Sequence, residues 1–139
     1  MTNESEALAA LFEAAADVRV RAHAPYSNFF VGAAVLDDEG RIHVGCNVEN
    51  AAYPQGTCAE AGAISAMVAA GGRRILAVAV VGGPAEGEEI QCPPCGGCRQ
   101  RIREFAAETA SIHLRDGAGH VTSLPLGELL PLSFGPGHL

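Results

Sequence analysis

Ile-Leu-Ala-Val-Ala-Val-Val, at residues 75–81, is the stretch of sequence that decides the fold. It contains seven consecutive apolar side chains and shows no alternation between apolar and polar residues. Such a run is typical of a strand that is covered on both faces. Because each covered face needs a layer packed against it, we expect a sheet with helices on both sides.

Periodic and turn patterns predict the elements that precede this strand. Asn3 with Glu6 forms a helix-opening cap, and apolar residues at helical spacing continue a first helix that ends before Pro25. Residues 37–40, Asp-Asp-Glu-Gly, are a hairpin turn. The remaining predictions on this side are strands at 30–36 and 41–48 and a second helix from Thr57 to about Ala70, closed by Gly71 and Gly72.

Beyond the apolar strand, the sequence predicts an acidic loop at 82–91 and a third helix from near Cys95 to about Ala107. Two short strands follow at 111–114 and 121–123. The order of elements is then helix, hairpin, helix, strand, helix, strand, strand. This order predicts a single α/β domain, residues 1–139, built as a three-layer α/β/α sandwich with a central mixed sheet.

Composition argues against several classes of protein. The 139 residues are 48% hydrophobic and 18% charged, which is typical of one compact domain. The formal charge is −7 and all nine basic residues are arginine, so binding to a nucleic acid polymer is disfavoured and a small, nearly neutral substrate fits better. No apolar run reaches the roughly 20 residues of a membrane span.

The amino-terminal segment and the cysteines bear on location. Residues 1–20 carry four acidic residues and no basic start, unlike a secretory signal. We therefore expect a cytoplasmic protein, in which thiols stay reduced. The five cysteines, an odd number, then indicate a metal site or catalysis rather than disulfides.

The informative residues lie in two segments, residues 57–60 (Thr-Cys-Ala-Glu) and residues 94–100 (Pro-Cys-Gly-Gly-Cys-Arg-Gln). Each segment places thiols at a predicted helix start, where free amide N–H groups and the helix dipole favour the metal-binding thiolate. Cys95 and Cys98 are three residues apart, so both lie on one side of the first turn. Cys58 supplies a third ligand from the other helix.

Three thiolates leave one position of a zinc tetrahedron open, which is the mark of a catalytic rather than a structural site. Water in that position becomes a nucleophile near neutral pH. Glu60 lies two residues after Cys58, and both can converge on the metal if Cys58 occupies the helix cap. The Glu60 carboxylate is then placed to move protons.

Other interpretations of these residues remain open at this point. Cys92-Pro-Pro-Cys95 has the spacing of a redox dithiol, although the chain lacks thioredoxin-like order. Cys46 and Cys92 are most simply packing residues, and Glu60 alone would be an ordinary first-turn carboxylate. It is the combination of the two segments that favours a catalytic zinc site.

The chain resembles the homotetrameric zinc-dependent cytidine deaminases over nearly its whole length. The blocks that carry the resemblance are residues 24–29 with 31–34, 45–53, 58–60, 94–100, and 129–131 with Phe134. The resemblance implies a five-stranded mixed sheet between helices, one zinc ion per subunit, and a tetramer whose interfaces complete each site. The implied activity is hydrolytic deamination of cytidine and deoxycytidine, a reaction of pyrimidine salvage.

The resemblance also implies roles for individual residues. Cys58, Cys95 and Cys98 match the zinc ligands, and Glu60 matches the proton shuttle. The matches to substrate contacts are Asn47 and Glu49 (ribose 3′-hydroxyl), Phe29 (packing on the nucleoside), the Ala59 backbone amide (pyrimidine), and Ala51, Tyr53 and Phe134 (contributed by neighbouring subunits). By spacing alone, Phe29 and Phe134 would be core residues.

One position departs from the family pattern. Many relatives with three cysteine ligands carry an arginine directly after the catalytic glutamate, where it offsets the thiolate charge, and this chain has Ala61 there. Uncompensated, three thiolates would make zinc a poorer acidifier of water. We expect helix amides, or an arginine from elsewhere, to compensate.

Three alternative functions are weighed against the leading one. Blasticidin S deaminases resemble the chain around the metal but differ at the sugar-binding block, residues 47–50. Deoxycytidylate deaminases typically use a histidine ligand and need a phosphate site, and neither is evident here. A non-catalytic zinc module or an RNA-editing component is disfavoured by the acidic charge and by Glu60 beside an open metal position.

Overall fold

The structure, a computed structural model, describes residues 3–139, so that residues 1 and 2 of the predicted domain lie outside the described part. Within that part it contains four α-helices and five strands. In chain order they are α1 (Glu4–Arg19), β1 (Phe29–Asp37), β2 (Ile42–Cys46), α2 (Ala59–Ala69), β3 (Ile75–Pro84), α3 (Gly96–Phe105), β4 (Ala106–Arg115), β5 (Val121–Pro125) and α4 (Leu126–Leu129). Two single 3-10 turns, Tyr53–Gln55 and Pro136–His138, complete the list.

The five strands form one mixed sheet in the order β2-β1-β3-β4-β5. β1 is antiparallel to both β2 and β3, β3 is parallel to β4, and β4 is antiparallel to β5. The apolar stretch at 75–81 thus forms most of the central strand. The predicted α/β sandwich with a five-stranded mixed sheet is confirmed.

Two apolar cores lie on opposite faces of β3. Val78 and Val80 belong to the core under α2 and α3, whereas Ala79 and Val81 belong to the core under α1. All four residues are fully buried. The side chains therefore alternate between the two layers, as a strand covered on both faces requires.

The direction of the strands sets where the two inner helices begin. β2 and β3 are both antiparallel to β1, so they run parallel to each other. α2 follows β2 and α3 follows β3, and both helices pack on the same face of the sheet. Their amino-terminal ends therefore lie at the same end of the sheet.

Several boundaries differ from the predictions. β3 continues to Pro84, because Gly82 and Gly83 pair with β1 instead of opening the predicted loop. α3 ends at Phe105 rather than about Ala107, because Ala106 pairs with Ile75 and begins β4. β2 is shorter than predicted, and the four-residue helix α4 had no signal in the sequence. The predicted cap at the start of the first helix is confirmed, because Asn3 Oδ1 accepts a hydrogen bond from Glu6 N at 2.8 Å.

Asp37, the last residue of β1, is a fully buried carboxylate that organises the hairpin turn. Its Oδ1 accepts hydrogen bonds from the backbone N–H groups of Glu39 and Arg41, each at 2.9 Å. Its Oδ2 lies 2.8 Å from both Arg41 Nε and His43 Nε2. Burial acts to raise the pKa of Asp37, but these hydrogen bonds, led by that of His43, hold its pKa well below the ordinary value.

Asp37→Asn is expected to lower the Tm by on the order of 10 °C near neutral pH, because it removes the charge that Arg41 and His43 face. A pKa that is lower in the folded than in the unfolded chain adds stability above the unfolded value of about 4, and this stability is lost as the pH falls below it. Urea unfolding of both proteins at neutral pH and near pH 3 measures the effect. The difference in free energy of unfolding should shrink at the lower pH; an unchanged difference would contradict the assignment.

Candidate active site

Three cysteine sulfurs meet at the shared end of α2 and α3. Cys58 is the cap residue of α2, Cys95 is the cap residue of α3, and Cys98 lies in the first turn of α3. The three Sγ atoms all lie within 4.8 Å of one another, and those of Cys58 and Cys95 are 4.0 Å apart. Tetrahedral zinc with Zn–S bonds of about 2.3 Å requires sulfurs about 3.8 Å apart. The cluster therefore fits a zinc ion.

A close contact between β2 and α2 positions the Cys58 side of the cluster. A Cβ atom on Gly45 would lie 2.3 Å from Ala63 N and 2.4 Å from Ala59 O, distances at which the backbone would have to move. Only a glycine therefore allows the first turn of α2 to rest on β2. The absence of a side chain at residue 45 therefore sets the position of Cys58, a candidate metal ligand, and of Glu60, which follows it.

The predicted effect of helix starts on the thiols holds for one cysteine of the three. The backbone N–H of Cys98 lowers the pKa of Cys95. Burial instead raises the pKa of Cys58 and of Cys98, so desolvation outweighs the helix amides there. A bound divalent cation offsets this cost, because it stabilises the thiolates directly.

Glu60 lies beside the cluster, in the first turn of α2, and is only 4% exposed. Cys58 has extended backbone dihedrals at the cap, which allows two residues only two apart to face the same space, as predicted. Burial raises the pKa of Glu60, and the charge of Arg101 acts in the opposite direction. A carboxyl group with a raised pKa next to a metal is suited to proton transfer.

Arg101 provides the positive charge that Ala61 does not. Its Nη1 donates a hydrogen bond to Cys98 Sγ at 3.6 Å, from one turn further along α3. Arg101 is therefore the arginine from elsewhere that we expected to compensate the charge of the thiolates. Helical spacing leaves two arginines, Arg99 four residues after Cys95 and Arg101 three residues after Cys98. The fold decides between them, because Arg99 donates its hydrogen bonds to the carbonyl oxygens of Pro94 and Leu129 instead.

Arg101→Ala is expected to weaken zinc binding by about 10- to 100-fold, the usual effect of removing a partner of a metal ligand. Zinc binding turns thiols into thiolates and adds negative charge, which the guanidinium stabilises. Competition with a chromogenic chelator at neutral pH measures the affinity. Arg74→Ala, at an exposed arginine after α2, removes the same charge away from the cluster and should leave the affinity unchanged. Equal affinities for the Arg101 variant and the wild type would contradict the assignment.

A pocket of about 320 Å³ opens onto the cluster, a volume at the lower end of the usual range for small-molecule sites. It is lined by Val31, Asn47, Val48, Glu49, Tyr53, Gly56, Thr57, Cys58, Glu60, Cys92, Pro93 and Cys95. Five of the predicted substrate and metal residues therefore line the same cavity as Glu60, namely Asn47, Glu49, Tyr53, Cys58 and Cys95. Val31, Gly56, Thr57 and Pro93 were not predicted as site residues, and they carry no chemical signal that could have marked them.

Asn47 and Glu49 line the pocket; Asn47 also holds the start of β1, and Glu49 holds the segment before it. Asn47 Oδ1 accepts a hydrogen bond from Val31 N at 2.8 Å, and its Nδ2 donates to Phe29 O at 2.9 Å. Glu49 Oε1 accepts from the backbone N–H groups of Tyr26 and Ser27, and Oε2 accepts from Ser27 Oγ. The contacts within residues 3–139 leave one hydrogen on Asn47 Nδ2 and one acceptor position on Glu49 without a partner.

The other predicted residues lie outside the lining of this pocket in the described chain. Phe29 begins β1, and its ring would be 3.1 Å from a Cβ on Gly82. Ala59 is buried at the start of α2, and Ala51 is exposed in the loop after β2.

The two aromatic residues predicted to act across subunits are exposed. Tyr53 lines the pocket at its rim and is 79% exposed, and Phe134 is 57% exposed. The backbone carbonyl of Phe134 accepts a hydrogen bond from Gln100 Nε2 at 2.9 Å, which ties the carboxyl-terminal segment to α3. Neither ring is a core residue, so the interpretation from spacing alone was wrong for Phe134.

Cys92 does not form a dithiol pair with Cys95. All five cysteines are free, and Cys92 packs partly against the core under α2 and α3, as predicted for a packing residue. Burial raises the pKa of Cys92 to about 11, which disfavours the thiolate that a redox cysteine needs. Cys92 also contributes to the pocket wall.

A larger groove, of about 780 Å³, lies between α1 and the turn that joins β4 to β5. Its polar side chains are carboxylates, Ser5 and Arg115, and Arg115 is paired with Glu89 at 2.7 Å. Within residues 3–139, none of the groove's side chains belongs to a cluster that could hold a metal. The smaller pocket is therefore the better candidate for an active site.

None of the helices in the described chain combines the length and the apolar character that a bilayer crossing requires.

Known proteins match this chain over most of its length. The family model described as "Cytidine and deoxycytidylate deaminase zinc-binding region" matches residues 5–114. A cytidine deaminase of Sporosarcina psychrophila is 40% identical over 116 residues, which are 84% of this chain and 82% of that protein. A cytidine deaminase of Mycobacterium tuberculosis is 42% identical over 114 residues, covering 82% of this chain and 79% of that one.

Solved structures agree with the sequence relatives. The crystal structure of cytidine deaminase from Burkholderia pseudomallei superposes with a TM-score of 0.82 at 42% identity, and the match covers 96% of this chain and 100% of that chain. For cytidine deaminase from Mycobacterium tuberculosis the TM-score is 0.78 at 38% identity, over 92% and 97% of the two chains. Taken with the sulfur cluster beside Glu60, these matches show that the chain belongs to the family of zinc-dependent cytidine deaminases.

Proposed function

We propose that the chain catalyses the hydrolytic deamination of cytidine and deoxycytidine to uridine and deoxyuridine, with release of ammonia. One observation carries the proposal: a single pocket combines metal-ligating cysteines, the buried Glu60, and the polar pair Asn47 and Glu49. A metal beside a carboxylate supports hydrolysis. The polar pair at the same pocket supports a substrate that carries a sugar.

Glu60 moves the protons in this proposal. Cys58, Cys95 and Cys98 hold zinc, which when bound supplies the Lewis acidity that makes water a nucleophile near neutral pH. The Glu60 carboxylate accepts a proton from the water that attacks C4 of cytosine, and passes it to N3. It then helps to protonate the departing amino group, so that one water is consumed and one ammonia is released. Burial raises the pKa of Glu60, and this direction supports the role because it makes the carboxylate a better proton acceptor.

Recognition of the nucleoside is divided between sugar and base. Asn47 and Glu49 bind the 3′-hydroxyl, which their unused donor and acceptor positions support. The Phe29 ring packs against the nucleoside, and the Ala59 amide contacts the pyrimidine. Because these contacts include no specific partner for the 2′ position, ribose and deoxyribose are both accepted.

Neighbouring subunits complete the site. We place Ala51, Tyr53 and Phe134 of each chain at a neighbour's pocket in a homotetramer, which the exposure of both aromatic rings supports. The protein acts in the cytoplasm in pyrimidine salvage, a location supported by thiols that must stay reduced to hold zinc. Light scattering of the zinc-loaded protein tests the assembly, and a monomer would contradict it.

One assay tests the reaction itself. Purified zinc-loaded protein is incubated with cytidine or deoxycytidine while the loss of cytosine absorbance and the release of ammonia are followed. Both signals should appear together, stop with a chelator and return when zinc is restored. Parallel incubations with deoxycytidylate and blasticidin S should show little conversion. If the zinc-loaded protein converts neither nucleoside, the proposed function is wrong.

A further inference from the structure

Ser27 lies in the exposed segment between α1 and β1, and its hydroxyl connects two elements of the candidate site. The Ser27 Oγ donates a hydrogen bond to Glu49 Oε2 and accepts one from the backbone N–H of Phe29 at 3.0 Å. The second contact is possible because Asn28 has a left-handed backbone, with φ of 57°, which turns Phe29 N back toward Ser27. One hydroxyl therefore joins the Glu49 carboxylate to the first residue of β1.

The backbone of the same segment also donates hydrogen bonds to the Glu49 carboxylate. The N–H groups of Tyr26 and Ser27 donate to Glu49 Oε1 at 2.9 and 3.2 Å. Both carboxylate oxygens are thus held, which fixes the orientation of the Glu49 carboxylate at the pocket that it lines. The hydrogen bond from Ser27 is also the main cause of the lowered pKa of Glu49, so this carboxylate is ionised at neutral pH.

A half-exposed glutamate without such partners rotates about several bonds and loses conformational entropy when a ligand orders it. Holding it in place before the ligand arrives removes that cost from binding. Of the three hydrogen bonds to the Glu49 carboxylate, only the one from the Ser27 hydroxyl comes from a side chain. It is therefore the one of the three that a side-chain substitution can remove, and the same substitution also removes the acceptor of the Phe29 N–H.

We propose that Ser27 is a positioning residue for sugar recognition, which acts by orienting Glu49 toward the 3′-hydroxyl of the nucleoside. The proposal rests on the proposed function, since it needs a sugar-bearing substrate and a contact between Glu49 and that hydroxyl. It goes beyond that function by assigning the affinity for the 3′-hydroxyl in part to a residue that does not touch it. The substrate class that depends on Ser27 is accordingly the nucleosides with a free 3′-hydroxyl.

The test compares Ser27→Ala with the wild type on two substrates, cytidine and 3′-deoxycytidine. For cytidine, KM should rise about tenfold, the usual effect of one hydrogen bond to a charged group, with kcat changed by less than about threefold. For 3′-deoxycytidine, KM should change less than about twofold, because the contact that Ser27 orients is missing. Ser27→Thr keeps a hydroxyl and should restore most of the affinity. Ser65→Ala, at an exposed serine on α2, is the matched control.

A second variant separates failure of this proposal from failure of the proposed function. Glu49→Ala should raise KM for cytidine at least as much as Ser27→Ala, and combining the two should add little. Equal KM increases on both substrates, or fully additive effects with Glu49→Ala, would show a general structural role and overturn the proposal. If the wild type converts no cytidine at all, it is the proposed function that fails. If Glu49→Ala raises KM for cytidine and Ser27→Ala does not, only the role of Ser27 fails.

Discussion

Replacing Glu60 by glutamine is expected to lower kcat by about 10²- to 10⁴-fold while zinc stays bound. Glutamine has nearly the same shape as glutamate, but it cannot accept the proton of the attacking water or deliver it to N3. The sulfur cluster lies on separate residues, so the metal site is left intact. Steady-state kinetics with cytidine and metal analysis of the same sample measure the two quantities.

The stability of the same variant gives a second, independent sign of a catalytic group. Glu60 is 4% exposed and burial raises its pKa, so a neutral amide at this position does not add to the cost of desolvation. The Tm should therefore stay the same or rise while turnover collapses. Glu104→Gln, at an exposed glutamate of α3, is the matched control and should keep full activity. Near-normal turnover by the Glu60 variant would refute its assignment as the proton shuttle.

Cys98→Ala is expected to abolish zinc retention, with a loss of affinity greater than about 100-fold, since even partners of metal ligands contribute 10- to 100-fold. Cys98 is the fully buried member of the cluster, so no other side chain can take its place without moving the first turn of α3. Loss of the metal removes the Lewis acid, and activity should fall with it. Metal analysis after dialysis and the rate of cytidine conversion measure both effects.

The control for this substitution is another cysteine. Cys46, a half-buried residue at the end of β2, lies outside the sulfur cluster. Cys46→Ala should therefore keep one zinc per chain and a rate within about threefold of the wild type. A Cys98 variant that keeps zinc through extensive dialysis would show that the ion is held by a different set of atoms.

The local sequence predicted the parts of the fold that follow from periodicity. The run at 75–81 identified the central strand because burial on both faces leaves no polar alternation. The two cysteine segments identified the metal cluster because both begin helices, and helices that follow parallel strands begin at the same end of a sheet. The substrate contacts came from family resemblance and stay predictions.

The rest depends on contacts between residues that are far apart in the chain. Arg101 could not be selected from its neighbours until the position of α3 was known. The pKa of Cys98 is set by burial, which no spacing rule expresses. Ser27 and Glu49 are 22 residues apart, and neither one alone suggests the other. Strand ends were wrong where backbone pairing at Gly82 and Ala106, rather than side-chain preference, decided the boundary.

The contact between Gly45 and the first turn of α2 bears on attempts to engineer this chain for other substrates. A designer would naturally vary residues with reactive groups or with side chains that face the ligand, such as Val31 and Val48 in the pocket wall. Those side chains border the cavity, so changing them alters its size and shape. Residue 45 has no room for a side chain, because any added carbon displaces the turn that carries Cys58 and Glu60. A combinatorial library should therefore keep Gly45 unchanged and vary the residues of the pocket wall.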